Sequence, residues 1–300
     1  MKKSMVRFCS LISAFCFSII CLCSFNWSFK RIPEKLNKYI KSYPNSIRVI
    51  EYDAEKKDWK VQVNDVALYW AESRFLPEEE LANRDEWRSH LDYVYSKVVF
   101  DPADKAVFTS SFVLMLKSKE FYKSRARQKP YHNAFYNALY NCSTRASVEQ
   151  QITTISFLGH KLNIHKKLIP ELKKIEIKIY NLKAQEVKKG MQNEYGTVQF
   201  FLSQLEQVQG YNWREVSDTS NRSQHSRGIA IDVLPKNWES KNIYWRWRAD
   251  WDENWMLLAL GNRWMPPADV VKAFESEGFI WGGNWVLWDT IHFEYRPELL

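Results

Sequence analysis

The stretch Asp58-Trp59-Lys60-Val61-Gln62-Val63 alternates polar and apolar positions with the period of two that a half-buried strand requires. Asn64-Asp65 is a turn pair and Val66-Ala67-Leu68-Tyr69-Trp70 follows, so a β-hairpin is expected here. Pro77 ahead of Glu78, Glu79 and Glu80 has the form of a helix start, and Trp87, Leu91, Val94 and Tyr95 recur beyond it at helical intervals. Leu168, Leu172, Ile175, Ile179 and Leu182 trace one face of a long amphipathic helix, expected over residues 166–189 with Gly190 at its end. Residues 198–208 read as more helical than extended, and Gly210 ends them.

Beyond residue 210 the pattern changes to short apolar runs separated by turn residues. Ile229-Ala230-Ile231-Asp232-Val233-Leu234 is a buried-strand candidate halted by Pro235. A helix is expected from Pro266-Pro267-Ala268-Asp269, carrying Val270, Val271 and Phe274 inward and ending at Gly278, and a final strand is expected at residues 290–295. There is no internal repeat. The expected fold class is α+β: a small antiparallel sheet flanked by helices, with a mainly helical N-terminal accessory region. The boundaries expected are an export segment at 1–25, the accessory region at 26–140, and a catalytic domain at 141–300.

Composition supports that division. Three hundred residues exceed one average domain, and 45% hydrophobic residues with 14 Trp, 15 Tyr and 17 Phe supply enough apolar surface to close a core, which excludes disorder for the bulk. Lys2, Lys3 and Arg7 precede an apolar run at residues 8–23, the form of a signal peptide or membrane anchor, so the protein is expected to be exported to the periplasm or cell envelope. No Ala-x-Ala marks a cleavage site, and Cys16, Cys21 and Cys23 lack the small preceding residue of a good lipidation site; cleavage, lipidation and a retained membrane tether all stay open. Four of the five cysteines fall in this segment, which leaves Cys142 alone and rules out an internal disulfide framework in the remainder. The formal charge of +8 favours anionic partners such as a membrane surface or wall polymer; with an export signal, nucleic acid is not expected among them.

Chemistry concentrates near the C-terminus. In Ser223-Gln224-His225-Ser226-Arg227-Gly228-Ile229-Ala230-Ile231-Asp232 a loop histidine precedes a strand aspartate by seven residues. Gly228 permits a tight bend, and the small Ala230 lets another element approach. In Asp289-Thr290-Ile291-His292-Phe293-Glu294, a strand would place Glu294 on the face of His292, with Asp289 just outside it. Two imidazoles and one carboxylate make a catalytic zinc site with one open position, and a further carboxylate can serve as general base. His225, Asp232 and His292 are therefore the expected zinc ligands and Asp289 the expected base. A cysteine peptidase pairing Cys142 with His132 is the rival chemistry, and a fold that binds wall peptide without cutting it is the non-enzymatic one.

The strings Ser-x-His-x-x-Gly-x-Ala-x-Asp at 223–232 and Asp-x-x-His-Phe-Glu at 289–294 resemble the zinc D-alanyl-D-alanine carboxypeptidase and L-alanyl-D-glutamate endopeptidase family of peptidoglycan metallopeptidases. Gly278-Phe279-Ile280-Trp281-Gly282-Gly283-Asn284-Trp285 is similar to a segment of the endopeptidase branch. The resemblance covers residues 210–297. It implies the same three ligands, Zn2+ as cofactor, Asp289 as acid/base residue, and a peptidoglycan stem peptide as substrate. It also implies an arginine at the oxyanion or the substrate carboxylate. Arg145 with Gln150 has the family's spacing but lies far upstream, and Arg214 is the alternative. Ser223 and Glu294 are further candidates for substrate contact, Glu294 alternatively steadying His292. Trp281, Trp285 and Trp288 either wall a peptide groove or fill the core.

Overall fold

The chain enters through α1 (Glu34–Ser42), which turns Leu36 and Tyr39 inward, and continues into β1 (Ile47–Asp53), β2 (Asp58–Val63) and β3 (Val66–Tyr69), paired antiparallel in that order. The expected hairpin is β2–β3: Val63 pairs with Val66, and Asn64 takes the left-handed turn position at φ 48°. β1 adds a strand that the pattern does not announce, because a bulge between Val49 and Glu51 interrupts its alternation. The computed structural model describes residues 31–90 and 93–300, so the expected export segment and Leu91 lie outside the described residues.

Helical structure after Pro77 is a 3-10 stretch, Glu78–Glu86, and among the described residues beyond it Trp87, Arg88, Ser89 and Tyr93 to Tyr95 are not helical. Trp87 is extended at φ −104° and ψ 140°. Its carbonyl accepts from Arg74 at 3.0 Å and its indole donates to Glu80 at 2.9 Å, so tertiary contacts turn the backbone out of a helix there. The helices α2 (Ser110–Lys117) and α3 (Lys119–Ala126) begin at Thr109 and Ser118, whose hydroxyls accept the amides of Phe112 and Phe121. Short α4 (Ala134–Tyr140) and α5 (Arg145–Glu149) lead to the hairpin of β4 (Ile152–Phe157) and β5 (His160–His165).

The long helix appears where its apolar stripe places it: α6 (Ile169–Lys188), led by a 3-10 turn at Lys166–Leu168, buries Leu172, Ile175 and Ile179. The helical reading of residues 198–208 holds for α7 (Val198–Gln204), after which the chain becomes strand β6 (Leu205–Gln209) because it pairs with the incoming β7 (Ala230–Pro235). After α8 (Trp245–Ala249) and α9 (Ala268–Glu275) come β8 (Phe279–Trp281) and β9 (His292–Tyr295). These four strands make an antiparallel sheet of order β6-β7-β9-β8, which gives the expected α+β class.

One face of this sheet carries Ile231, Val233, Phe279 and Phe293 into a core that also takes Leu36, Tyr39, Val61, Val63 and Phe135 from the first half of the chain. Phe293 stacks on Phe274 of α9 at 4.0 Å between centroids. Burying a side chain of that size contributes about 1.5–3 kcal/mol, so the shared core ties the sheet firmly to its surroundings. Ile32–Leu300 form one compact unit. A second cluster, with Phe108, Leu116, Trp245, Trp255 and Trp288, packs α2 against α8. Among the described residues, no helix is long and apolar enough to cross a membrane.

Candidate metal centre

Strand register builds the site. Asp232 of β7 lies directly opposite His292 of β9, and Ala230 opposite Glu294, so alternation sends all four side chains to the face away from Ile231 and Phe293. Ala230 is the small residue of this set, which leaves room for the Glu294 carboxylate. The third group, His225, lies in a 3-10 turn (Gln224–Arg227) that Ser223 caps by accepting the His225 amide at 3.2 Å. Gly228 closes that turn at φ 66°, a backbone conformation that L side chains rarely adopt, and a Cβ there would also come within 3.0 Å of the His165 amide nitrogen of β5, so glycine suits the turn.

Three donors converge as a result. His225 Nε2 is 3.2 Å from His292 Nδ1 and 3.2 Å from Asp232 Oδ2, while His292 Nδ1 is 2.9 Å from Asp232 Oδ1. A tetrahedral cation with bonds of about 2.0–2.1 Å spaces its ligand atoms about 3.3–3.4 Å apart; one ligand atom from each of the three residues lies within 4.8 Å of the others, so the donor set has the chemistry and the proximity to hold a metal ion. The outer nitrogens are also fixed. His225 Nδ1 donates to the Gly210 carbonyl at 2.6 Å and His292 Nε2 to Glu294 Oε2 at 3.3 Å, which aims the opposite nitrogen of each ring at the shared point.

The electrostatics suit a cation. Although burial opposes ionisation, the two imidazoles hold the Asp232 carboxyl far below its usual range. Burial likewise works against a charged His292, but its bonds to Asp232 and Glu294 push it up to about 10. Glu294 is lowered against its own burial by His292 and Arg296. Positive charge is thus favoured at this point whether a proton or a metal ion brings it.

Asp289 stands beside these groups without joining them. Its amide donates to the Gly282 carbonyl at 3.0 Å, and its backbone bridges to Tyr244. The carboxyl oxygen Oδ1 is enclosed without a hydrogen-bond partner among the described residues. Burial chiefly pushes this acid up to about 7, opposed by His292 and reinforced by the Asp232 charge. A carboxyl with an unclaimed oxygen and a proton affinity near neutrality is suited to moving protons.

A cavity of about 260 Å³ opens on His225 and Asp232, lined also by Lys161, Asn163, Gly210, Tyr211 and Arg214 among others. Arg214 is exposed, and among the described residues its guanidinium bonds only the Glu215 carbonyl, at 3.5 Å, which leaves it available to an anion in the cavity. Arg145 is elsewhere: it pairs with Glu149 at 2.7 Å, and Glu149 in turn accepts from Tyr211 at 3.2 Å, so it meets the cavity only through that rim. Ser223 is buried in its capping role and Glu294 in its bond to His292. Of the three tryptophans, Trp285 lies 5.5 Å from His292 between ring centroids; Trp281 and Trp288 are buried in the two core clusters.

Lys161 and Asn163 carry no site signal in the sequence, where Gly210 marks only the end of residues 198–208. The β4–β5 hairpin that carries the first two has no catalytic motif to draw attention. Gly210 carried a signal, a glycine just ahead of Tyr211-Asn212-Trp213-Arg214, but its role needs the fold: a Cβ there would fall 2.2 Å from the Asn163 carbonyl. The rival cysteine chemistry finds no geometry. The Cys142 thiol is buried and donates to the Tyr136 carbonyl at 3.2 Å, burial raises its pKa, and His132 packs on Trp87 instead.

Residues 217–295, which hold all three converging donors and Asp289, match the family described as D-alanyl-D-alanine carboxypeptidase. Residues 35–92 match a second family, described only as a domain of unknown function. No curated protein and no solved structure matches the chain.

Proposed function

We propose that this protein is an exported zinc peptidase that hydrolyses peptide stems of peptidoglycan as a D-alanyl-D-alanine carboxypeptidase. The observation that carries this reading is the convergence of His225, Asp232 and His292 on one point beside a carboxyl, Asp289, that takes no part in the cluster. Zinc, when bound there, would supply a Lewis acid and an acidified water. Asp289 accepts the proton of the attacking water through its unclaimed oxygen and returns it to the leaving amine. Arg214 holds either the substrate's terminal carboxylate or the oxyanion, since it is the arginine that lines the cavity. Export, with or without a retained membrane tether, rests on the cationic and apolar residues at 1–25. In this scheme residues 26–140 are accessory to the catalytic residues of 141–300.

The alternative within the family is an L-alanyl-D-glutamate endopeptidase, favoured by the Gly278–Trp285 segment and the position of Trp285 beside His292. Incubation of the protein with defined muropeptides, with and without a chelator, separates the readings by product mass. Loss of one alanine is expected; a split at the first stem amide indicates the endopeptidase, and no chelator-sensitive product indicates a protein that binds wall peptide without cutting it.

A further inference from the structure

The ligand His292 is tied to the first residues of the described chain by an unbroken series of buried polar contacts. His292 Nε2 donates to Glu294 Oε2 at 3.3 Å, and Arg296 donates to Glu294 Oε1 at 3.3 Å. Arg296 Nε donates to Glu298 Oε1 at 2.6 Å, and the Tyr43 hydroxyl donates to Glu298 Oε2 at 2.7 Å. Glu294, Arg296 and Glu298 are each 4–6% exposed, and Tyr43 is 7% exposed. The Arg296 guanidinium also lies over the rings of Tyr93 and Tyr136, at 4.9 and 5.8 Å from their centroids. Tyr43 caps α1 and falls within the segment 35–92 that matches a domain of unknown function.

We infer that this N-terminal segment is a positioning element for the metal centre, acting through Tyr43, Glu298, Arg296 and Glu294 on His292. The inference rests on the zinc reading proposed above. Its physical basis is the high cost of burying charges that lack partners: with three charged side chains enclosed, the arrangement that satisfies all of them is strongly preferred, and it fixes Glu294 against the imidazole. A carboxylate on the outer nitrogen sets ring orientation and raises ligand basicity, so loosening a remote link loosens the metal. Tyr43 is thereby a positioning residue, with no contact to the cavity.

The test uses the full chain, with Zn2+ affinity measured by chelator competition and the visible spectrum of the Co2+ form as a report on ligand geometry. Tyr43→Phe removes one oxygen from the series and is expected to weaken zinc binding by about 3–10-fold. Glu294→Gln is expected to weaken it by about 10–100-fold, the usual range for such outer partners. Arg296→Lys keeps the charge but loses the fork that serves two carboxylates, and should fall between them. Unchanged zinc affinity and an unchanged cobalt spectrum in folded Tyr43→Phe overturn the inference, and this variant decides the matter even if Arg296→Lys does not fold. Zinc binding that weakens in Tyr43→Phe, in a protein that cleaves no muropeptide, sustains the positioning role and overturns the peptidase. Cleavage with unaltered affinity does the reverse, and a wild-type chain that binds no zinc overturns both.

Discussion

Two regions of this molecule bury histidine and treat it in opposite ways. Under α1, His90 is enclosed by Tyr39, Phe75, Tyr131 and Phe135; burial, with the positive charge of Arg296 and Arg227 added, pushes it down to about 3. At the β7–β9 seam His292 is nearly as enclosed, yet two carboxylates raise it to about 10. Burial alone makes a neutral imidazole that packs as an aromatic ring; burial with acidic partners makes a place for a cation. The same residue type is therefore core in one region and a metal ligand candidate in the other, and the neighbours decide which.

The contrast breaks most sharply at the seam itself. His225→Ala should abolish both zinc binding and turnover. Asp289→Ala should keep zinc and lose turnover by about 10²–10⁴-fold, the usual contribution of a general acid–base group. Metal titration alongside muropeptide hydrolysis checks both, and full turnover in Asp289→Ala would remove that residue from the chemistry.

Gly210→Ala tests how the seam is supported. A methyl group 2.2 Å from the Asn163 carbonyl and 2.7 Å from Leu162 must displace β5 or the carbonyl that receives His225 Nδ1. A stability loss of about 1–3 kcal/mol is expected in urea unfolding, with weaker zinc binding. Unaltered metal affinity would show that the Gly210 carbonyl is not needed to aim the ring.

A pH profile sharpens the role of Asp289. Its carboxyl, pushed up to about 7, must lose its proton to act as a base, so turnover should fall on the acid side of neutrality. A bound cation shifts that limb to lower pH. A rate at saturating zinc that stays independent of pH from 7 down to about 4, the ordinary carboxylate value, would argue against this carboxyl as the titrating group.

The smallest effect belongs to the region under α1. His90 Nε2 has no hydrogen-bond partner among the described residues, so His90→Phe removes an unsatisfied polar atom and should leave stability at pH 7 within about 1 kcal/mol and zinc affinity unchanged. The sign of its pH dependence follows from the depressed value. Between about 6.5 and 3 the unfolded chain binds a proton that the folded one refuses, so the His90 contribution to stability is lost as pH falls through that window. His90→Phe should flatten part of that decline in denaturation curves; an identical slope in the variant would mean that His90 is protonated within the fold.

Local chemistry made much of this molecule legible from its residues. The stripe from Leu168 to Ile179 is long enough to define α6 without help, and Val63-Asn64-Asp65-Val66 carries its own turn. His225, Asp232, Asp289 and His292 stood out because each lies within a short string whose spacing has chemical meaning. What lay beyond local reading depends on contacts between segments distant in the chain. Leu205 to Gln209 is a strand because β7 lies beside it, and Trp87 leaves the helical path because Arg74 and Glu80 hold it.

By itself, then, the sequence determined which side chains are able to ligate, to titrate and to turn the backbone, since those are properties of residues and their near neighbours. Tertiary structure decided that Arg214 and Lys161 share a cavity, that Tyr211 reaches Glu149 across 62 positions, and that Tyr43 reaches Glu298 across 255 positions. Distances of that kind are set by how strands register and how a core closes, and no stretch of neighbouring residues contains them.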